Sequence, residues 1–265
     1  PFTTPETMIG TMACVTLPIA ADGTLEPAQL QARLLSEHGI EVPVSQVTVS
    51  AGGKQAIFHA ILATVGPGEE VIVRSPWWVR YPEIIRFAGG SVVPLLTHAK
   101  DNFRFTAADL EAQIGPRTQW LMLNSPGNPT GATYPAEMLL VIGEVLRRHP
   151  RVMVLSDDIY SPLIYTGQPH ATLANLCPDL ADRILTISGV SKSHAMTGFR
   201  IGVAAGPAWL IEAMEKLQSH SSGNPCSISQ AAAVAAFEGP QEFLTAWRER
   251  FRARRDMVVA AINAI

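Results

Sequence analysis

Short apolar runs alternate with amphipathic stretches from about residue 46 to residue 188. Each apolar run is four to eight residues long, rich in β-branched side chains, and predicts a buried strand. The predicted strands are residues 46–50, 69–75, 91–96, 118–124, 151–157 and 183–188. Strands that alternate with helices in this way indicate an α/β fold with a largely parallel sheet.

The amphipathic stretches predict the helices. One runs from Gly53 to about Val65, and another lies between the second and third strands. Residues 135–149 predict a helix because apolar side chains recur on one stripe. That stripe is Met138, Val141, Ile142, Val145 and Leu146. The last run, residues 240–265, predicts a long helix with a charged middle that could lead into a second domain.

Composition narrows the class of protein. Of the 265 residues, 47% are apolar and 16% are charged, as in a compact globular chain. A net charge of −3 gives no reason to expect binding to nucleic acid or to a membrane surface. The three cysteines are widely spaced and predict neither a disulfide framework nor a metal site, which favours the cytoplasm. No apolar run is long enough to span a membrane, and no signal peptide is visible. We also expect that the chain is truncated at both ends.

Polar side chains follow three of the predicted strands. Asn124 and Asn128 follow the strand at 118–124, Asp157 ends the strand at 151–157, and Lys192 follows the strand at 183–188. Ligands of open α/β sheets bind at the carboxyl ends of strands. We therefore expect these side chains to gather at one edge of the sheet.

Lys192 lies in the segment "TISGVSKSHAMTGFRIG", residues 186–202, together with Arg200. Apolar runs flank this segment, so we expect two cations close to the core, where charge needs a partner or a chemical use. A lysine at a strand end can act as an amine nucleophile and form a Schiff base with a carbonyl. The alternative is an ordinary surface lysine.

Asp157 belongs to "LSDDIY" and comes directly after an apolar strand. A carboxylate there could pair with a pyridinium nitrogen and keep that ring protonated. The alternative is a helix N-cap, for which the neighbouring Asp158 is the better candidate.

Two further stretches suggest contacts to the same kind of ligand. In "NSPGNPTG", residues 124–131, the amide of Asn128 could donate to a ring oxygen, although the stretch also fits a plain connecting loop. In "SAGGKQAIF", Gly52 and Gly53 precede a helix whose free N–H groups could bind phosphate, with Arg200 as a second phosphate ligand. This stretch is neither a Walker loop nor a GxGxxG fingerprint.

Aromatic side chains in "SPWWVRYPE" complete the set. Trp78 or Trp77 could stack on an aromatic ring, and Tyr81 is equally open to a binding role or to core packing. These groups together predict a site for pyridoxal 5′-phosphate. They are an amine, a carboxylate for the ring nitrogen, Asn128 and Tyr160 for the ring oxygen, and a phosphate site.

These motifs, in this order, resemble fold-type I, class I aminotransferases, and are most similar to the bacterial aspartate aminotransferase subgroup that includes aspartate/prephenate enzymes. The matching stretches run from about Val47 to the C-terminus and include "NSPGNPTGA", "VLSDDIY" and "GVSKSHAMTGFRIG". The resemblance implies an α-β-α sandwich, a mostly parallel sheet with helices on both faces. It also implies an N-terminal segment at 1–45, a large cofactor-binding domain at 46–240, and an interdomain helix with the start of a small domain at 241–265.

The resemblance also implies residue roles. Lys192, the Schiff-base lysine, would be catalytic together with Asp157 and Tyr160. The implied cofactor-binding residues are Gly52, Gly53, Lys54, Trp78, Asn128, Asp157, Tyr160, Ser191, Lys192 and Arg200. Lys54, Trp78 and Asn128 would also bind substrate. Lys54 favours a dicarboxylate, so the implied reaction is ping-pong transfer of an amino group from aspartate or glutamate to 2-oxoglutarate or another 2-oxo acid.

Several features qualify this picture. Residues 15–23 contain no tyrosine where the family has one that reaches the partner subunit's phosphate, and Gly189 stands where many relatives have a phosphate-binding serine. The family's arginine for the substrate α-carboxylate would lie beyond the end of this chain, and the N-terminal arm is also absent. The resemblance implies a cytoplasmic homodimer with active sites at the interface. Alternatives are a β-lyase or decarboxylase of the same fold, a non-catalytic aminotransferase-like sensor domain, and a plain nucleotide-binding domain.

Overall fold

The computed structural model describes residues 42–167 and 170–265. Seven strands form one sheet in the order β1-β7-β6-β5-β4-β2-β3. The strands are β1 (Val47–Ser50), β2 (Glu70–Ser75), β3 (Ser91–Leu96), β4 (Thr118–Asn124), β5 (Met153–Asp157), β6 (Ile184–Ser188) and β7 (Gly202–Ala205). All six strands that the sequence predicts are present, with starts that differ by two residues or fewer.

The sheet is mostly parallel, as expected. Strands β3, β2, β4, β5 and β6 run parallel to one another, whereas β7 is antiparallel to both β6 and β1. The sequence did not predict β7, because Gly-Val-Ala-Ala is short and has no alternation of apolar and polar residues. The register pairs Asn124 with Asp157, so the last residues of β4 and β5 are neighbours.

Nine helices lie in the described part of the chain. They are α1 (Gly53–Thr64), α2 (Arg80–Phe87), α3 (Ala107–Gln113), α4 (Ala136–Arg148), α5 (Leu173–Leu176), α6 (Val190–Ser193), α7 (Ala208–Ser219), α8 (Ser227–Glu238) and α9 (Glu242–Asn263). The predicted helices correspond to α1, α2, α4 and α9. Helix α3 begins with a capping box in which Thr106 and Asp109 bond reciprocally.

Helices cover both faces of the sheet. Val71 and Val73 of β2 face one cluster with side chains of α1, α2 and α7, whereas Ile72 between them faces a second cluster with α3, α4 and α5. A third cluster joins β1 and β7 to α8. Alternate side chains of each strand therefore enter opposite layers. The three-layer α-β-α arrangement is confirmed.

One detail of the predicted α4 stripe is wrong. Val141 is 52% exposed, and Leu139 is buried instead. The buried arc of α4 is centred near Ile142 and reaches Leu146, so that Val141 falls at its edge. The pattern identified the helix correctly but assigned Val141 to its buried face. The error arose because α4 also has apolar side chains on its exposed face.

The C-terminal part of the described chain is one long helix. Helix α9 begins at Glu242, shortly after α8 ends at Glu238, and has no buried residue. The domain boundary near residue 240 stays a prediction, and the N-terminal segment at 1–45 lies almost wholly outside the described residues. In the ranges 42–167 and 170–265, no helix combines the length and apolar character needed to cross a membrane.

Candidate active site

A cavity of about 270 Å³ opens at the carboxyl ends of β4, β5 and β6, beside the N-terminus of α1. Nine of the ten residues that the sequence marks as cofactor-binding line it, and the tenth, Gly52, directly precedes its wall. The nine are Gly53, Lys54, Trp78, Asn128, Asp157, Tyr160, Ser191, Lys192 and Arg200. The expected gathering of strand-end side chains at one edge is therefore present.

Asp157 lies in the wall of this cavity, as the last residue of β5. The Tyr81 hydroxyl donates to its Oδ2 at 2.5 Å, and the Ile159 N–H donates to Oδ1 at 3.4 Å. Burial raises the pKa of the Asp157 carboxyl to about 6, and the hydrogen bond from Tyr81 opposes that rise. The site thus contains a buried carboxylate with no cation in hydrogen-bonding contact among the described residues.

The Asp158 carboxylate has different contacts from the Asp157 carboxylate. Its Oδ1 accepts a hydrogen bond from Ser156, and its Oδ2 lies 3.3 Å from Nε2 of His170. Its side chain makes no hydrogen bond to the N-terminus of the short turn of 3₁₀ helix that follows at Ser161–Leu163. The alternative role of a helix N-cap is therefore not taken by Asp158, because its carboxylate is buried against Ser156 and His170.

The loop after β4 is held by its own asparagines. The Nδ2 of Asn124 donates to the backbone oxygen of Asp157 at 2.8 Å, and its Oδ1 accepts the Asn128 N–H at 2.7 Å. Burial and the nearby charge of Asp157 raise the pKa of the Tyr160 hydroxyl, while a hydrogen bond from the Asn128 side chain lowers it. The loop thus carries Asn128 to Tyr160 at the cavity wall, as a plain connecting loop would not be expected to do.

Lys192 and Arg200 do not lie in the core. Both side chains belong to exposed residues at the cavity, with Lys192 Nζ 5.7 Å from the ring centroid of Tyr160. The expectation of two cations close to the core is wrong, because the turn after β6 leaves the sheet edge instead of crossing it. Each cation remains in contact with solvent and with the cavity.

Arg200 is oriented by backbone oxygens. Its Nη1 donates to Thr197 O at 2.9 Å and its Nη2 donates to Ala51 O at 3.2 Å. No carboxylate of the described residues pairs with it, so the positive charge is available to an anionic ligand.

Helix α1 brings its N-terminus to this guanidinium. Gly52 precedes the helix with φ of +88°, and no described side chain caps the N-terminus. A Cβ on Gly52 would collide with the Arg200 guanidinium. Free N–H groups at a helix start, next to an unpaired guanidinium, form a phosphate-binding arrangement.

Gly189 is closely packed against the backbone of another segment. A Cβ there would lie 2.9 Å from Ile201 O, and φ is +152°. The backbone at this position therefore has no room for a serine side chain. Ser191 keeps its hydroxyl near the cavity, where it makes a long bond to Ile201 O.

Trp78 rather than Trp77 lines the cavity, and Trp77 packs against the core. The Lys54 ammonium lies 5.6 Å from the centroid of the Trp78 ring. The cavity is also lined by five residues that were not among those assigned to it: Ile57, Tyr81, Asn124, Ile159 and Thr197. The position of Asn124 at a strand end was a usable signal, whereas the sequence left Tyr81 open between a binding role and core packing.

The model of one protein family, described as aminotransferase class I and II, matches residues 18–265. The chain belongs to this family. The chain is 49% identical over 227 residues to an aspartate/prephenate aminotransferase of Cereibacter sphaeroides, covering 86% of this chain and 57% of the relative. It is 47% identical over 247 residues to an aspartate aminotransferase of Rhizobium meliloti, covering 93% and 60%.

Solved structures agree with the sequence relatives. A crystal structure of the aspartate aminotransferase from Rhizobium meliloti superposes with a TM-score of 0.87 at 46% identity, covering 89% of this chain and 59% of that chain. A Thermus thermophilus aspartate aminotransferase with maleate gives a TM-score of 0.84 at 39% identity, covering 89% and 63%. The chain thus spans about three fifths of the length of these relatives. Enzymes of the family use pyridoxal 5′-phosphate.

Proposed function

We propose that this aminotransferase binds pyridoxal 5′-phosphate in the cavity at the carboxyl ends of β4, β5 and β6. The donor set supports the proposal. One cavity presents an amine, a buried carboxylate, an amide paired with a phenol, and an unpaired guanidinium at a helix start. That combination, drawn from four separate segments, is the single observation that carries the function.

Each residue has a defined task in this proposal. Asp157 accepts a hydrogen bond from the protonated ring nitrogen, Asn128 and Tyr160 bond the ring oxygen, and Trp78 covers one face of the ring. The phosphate is held by Arg200, Ser191 and the N–H groups that follow Gly52. These contacts fix the cofactor at both ends.

Lys192 is the reacting amine. Its Nζ would bind the cofactor covalently as an amine, and as a free amine it would act as the general base that takes the proton from the substrate α-carbon and the general acid that returns it. When bound, the cofactor supplies an electron sink for the substrate carbon. A protonated ring nitrogen is needed for that role, and the buried, ionised Asp157 keeps it protonated.

We propose amino-group transfer from aspartate or glutamate to 2-oxoglutarate or another 2-oxo acid, in ping-pong order. Lys54 supports the dicarboxylate preference, since its ammonium lies beside Trp78 at the exposed mouth of the cavity. A product assay distinguishes amino-group transfer from β-elimination. Transfer yields a 2-oxo acid together with an equal amount of a new amino acid, whereas β-elimination yields pyruvate and ammonia. No specific observation favours the lyase, the sensor domain or the nucleotide-binding domain.

The deciding experiment is reconstitution of the purified protein with pyridoxal 5′-phosphate, followed by borohydride reduction and peptide mapping. The cofactor mass is expected on the peptide that contains Lys192, and the visible band is expected to change when aspartate or glutamate is added. Lys192→Ala should lose both results, whereas Lys216→Ala, an exposed lysine of α7, should keep them. Attachment that persists in Lys192→Ala would show that the lysine is wrongly assigned.

We also propose a homodimer with active sites at the interface, in the cytoplasm. An apolar groove next to the active site supports the dimer, since it shares Lys54 and Arg200 with the main cavity and is flanked by Phe87, which is 70% exposed. Light scattering of the purified protein tests this. The mass of two chains is expected, and a monomer at micromolar concentration would contradict it.

A further inference from the structure

Tyr81 joins two parts of the active site that lie far apart in the sequence. It is the second residue of α2, is 3% exposed, and its hydroxyl donates to Oδ2 of Asp157 at 2.5 Å. Its ring meets the Trp78 ring edge-on, with centroids 5.3 Å apart and planes at 85°. One buried side chain thus contacts both the indole at the cavity wall and the carboxylate next to it.

We propose that Tyr81 is the positioning residue of Asp157, which holds one carboxylate oxygen so that the other can accept the ring N–H of the cofactor. This inference rests on the proposed function. Oδ2 is engaged by Tyr81, whereas Oδ1 accepts only the long bond from the Ile159 N–H at 3.4 Å. Oδ1 therefore keeps acceptor capacity for a ligand.

A neutral donor suits this task better than a cation. Burial and the charge of Asp157 raise the pKa of Tyr81 well above its ordinary value, so the phenol stays a donor at every working pH. It stabilises the ionised carboxylate without neutralising it. An arginine or lysine in its place would compete with the protonated ring for the same negative charge.

The other groups around Asp157 do not replace this contact. Asp158, next in the chain, raises the pKa of Asp157, and the charge of Lys192 in α6 lowers it less than the hydrogen bond from Tyr81 does. Tyr160 lies within range of the Asp157 charge, and Arg74 of β2 acts on Tyr81. Tyr81 is the largest favourable influence on the ionised carboxylate, so its removal should have a measurable effect.

The first test uses the apoprotein and no activity. The Asp157 carboxyl is titrated by carbon-13 NMR in wild type and in Tyr81→Phe. The pKa is expected to rise by about one unit in the variant, because a hydrogen bond to an ionised group is strong. Tyr134→Phe is the matched control: Tyr134 is equally buried, but its hydroxyl accepts the Phe105 N–H on the opposite face of the sheet. That control should leave the Asp157 titration unchanged.

The second test measures cofactor affinity by quenching of tryptophan fluorescence. Tyr81→Phe is expected to bind pyridoxal 5′-phosphate about tenfold more weakly. Because the effect acts through Asp157, adding Tyr81→Phe to Asp157→Asn should weaken binding no further. Equal affinity and an equal Asp157 pKa in folded Tyr81→Phe would overturn the inference.

Two outcomes separate this inference from the proposed function. If wild type does not bind the cofactor, the function fails, and the apoprotein titration still reports on Tyr81 and Asp157. If Tyr81→Phe does not fold, 3-fluorotyrosine placed at position 81 alone provides a stronger donor of nearly the same shape. It should lower the Asp157 pKa, and no change would overturn the inference.

Discussion

The backbone N–H of Asn128 donates to the side-chain oxygen of Asn124 at 2.7 Å, while the Asn124 amide donates to Asp157 O at 2.8 Å. One buried side chain therefore links the carboxyl ends of β4 and β5 to the loop that carries Asn128. Because the register places Asn124 beside Asp157, this link sets the distance between two groups proposed to hold opposite sides of the same ring.

The two asparagines should respond differently to truncation. Asn124→Ala removes one buried and one half-buried hydrogen bond and should lower the free energy of unfolding of the apoprotein by about 2–4 kcal/mol. Asn128→Ala removes a half-buried amide and should cost less than about 1 kcal/mol, yet weaken cofactor binding about tenfold. Urea unfolding and fluorescence titration measure the two quantities. Equal stability losses in both variants would contradict the division of roles.

Asp157 should make the apoprotein less stable above pH 6. Folding raises the pKa of its carboxyl from 3.8 to about 6, so the folded state binds this proton more tightly than the unfolded state. This stabilisation of the folded state is about 3 kcal/mol. It is complete below about pH 4 and is lost as the pH rises through about 6.

Asp157→Asn removes this dependence on pH. The variant apoprotein should be more stable than wild type at pH 8 by about 1–3 kcal/mol and similar to it at pH 4, while losing tight cofactor binding. Urea unfolding at both pH values provides the measurement. Asp182→Asn, which changes an exposed carboxylate, serves as the control. It should leave the difference in the free energy of unfolding between pH 4 and pH 8 unchanged. A variant that is less stable than wild type at pH 8 would contradict this account.

Gly52 is expected to be needed for more than its backbone angle. Gly52 and Gly68 have φ of +88° and +90°, but only at Gly52 would an added Cβ meet the Arg200 guanidinium. Both alanine variants should lose about 1–2 kcal/mol of stability from strain. Gly52→Ala alone should lose affinity for inorganic phosphate and for the cofactor, measured by calorimetry. If Gly68→Ala lost the same affinity, backbone strain rather than the displaced guanidinium would be the cause.

Lys54 should affect the choice of substrate. Lys54→Ala is expected to lower kcat/KM for aspartate and glutamate at least about tenfold, since a charge-assisted contact to the distal carboxylate is lost. The value for alanine, which has no distal carboxylate, should change little. Lys100→Ala is an exposed control. Equal losses for aspartate and alanine would assign Lys54 to cofactor binding instead.

Much of the fold could be predicted because its signals are local. The alternation of apolar runs and amphipathic stretches predicted six of the seven strands in the described residues, four helices and the three-layer arrangement. Strand β7 was missed because its pairing with β6 and β1, and not its own composition, makes it a strand. The expectation of cations near the core failed because solvent contact depends on how a turn leaves the sheet, which the flanking apolar runs do not specify.

By itself, the sequence determined which residues stand at the ends of the strands: Asn124, Asp157 and Lys192 follow from hydrophobic pattern and motif. Only the tertiary structure decided what those residues touch. Tyr81 meets Asp157 across 76 positions, and Arg200 reaches Ala51 O across 149. Contacts of this kind depend on strand order and helix packing. Local periodicity contains no information about strand order, so the partners of the active-site carboxylate and guanidinium became known only from the folded chain.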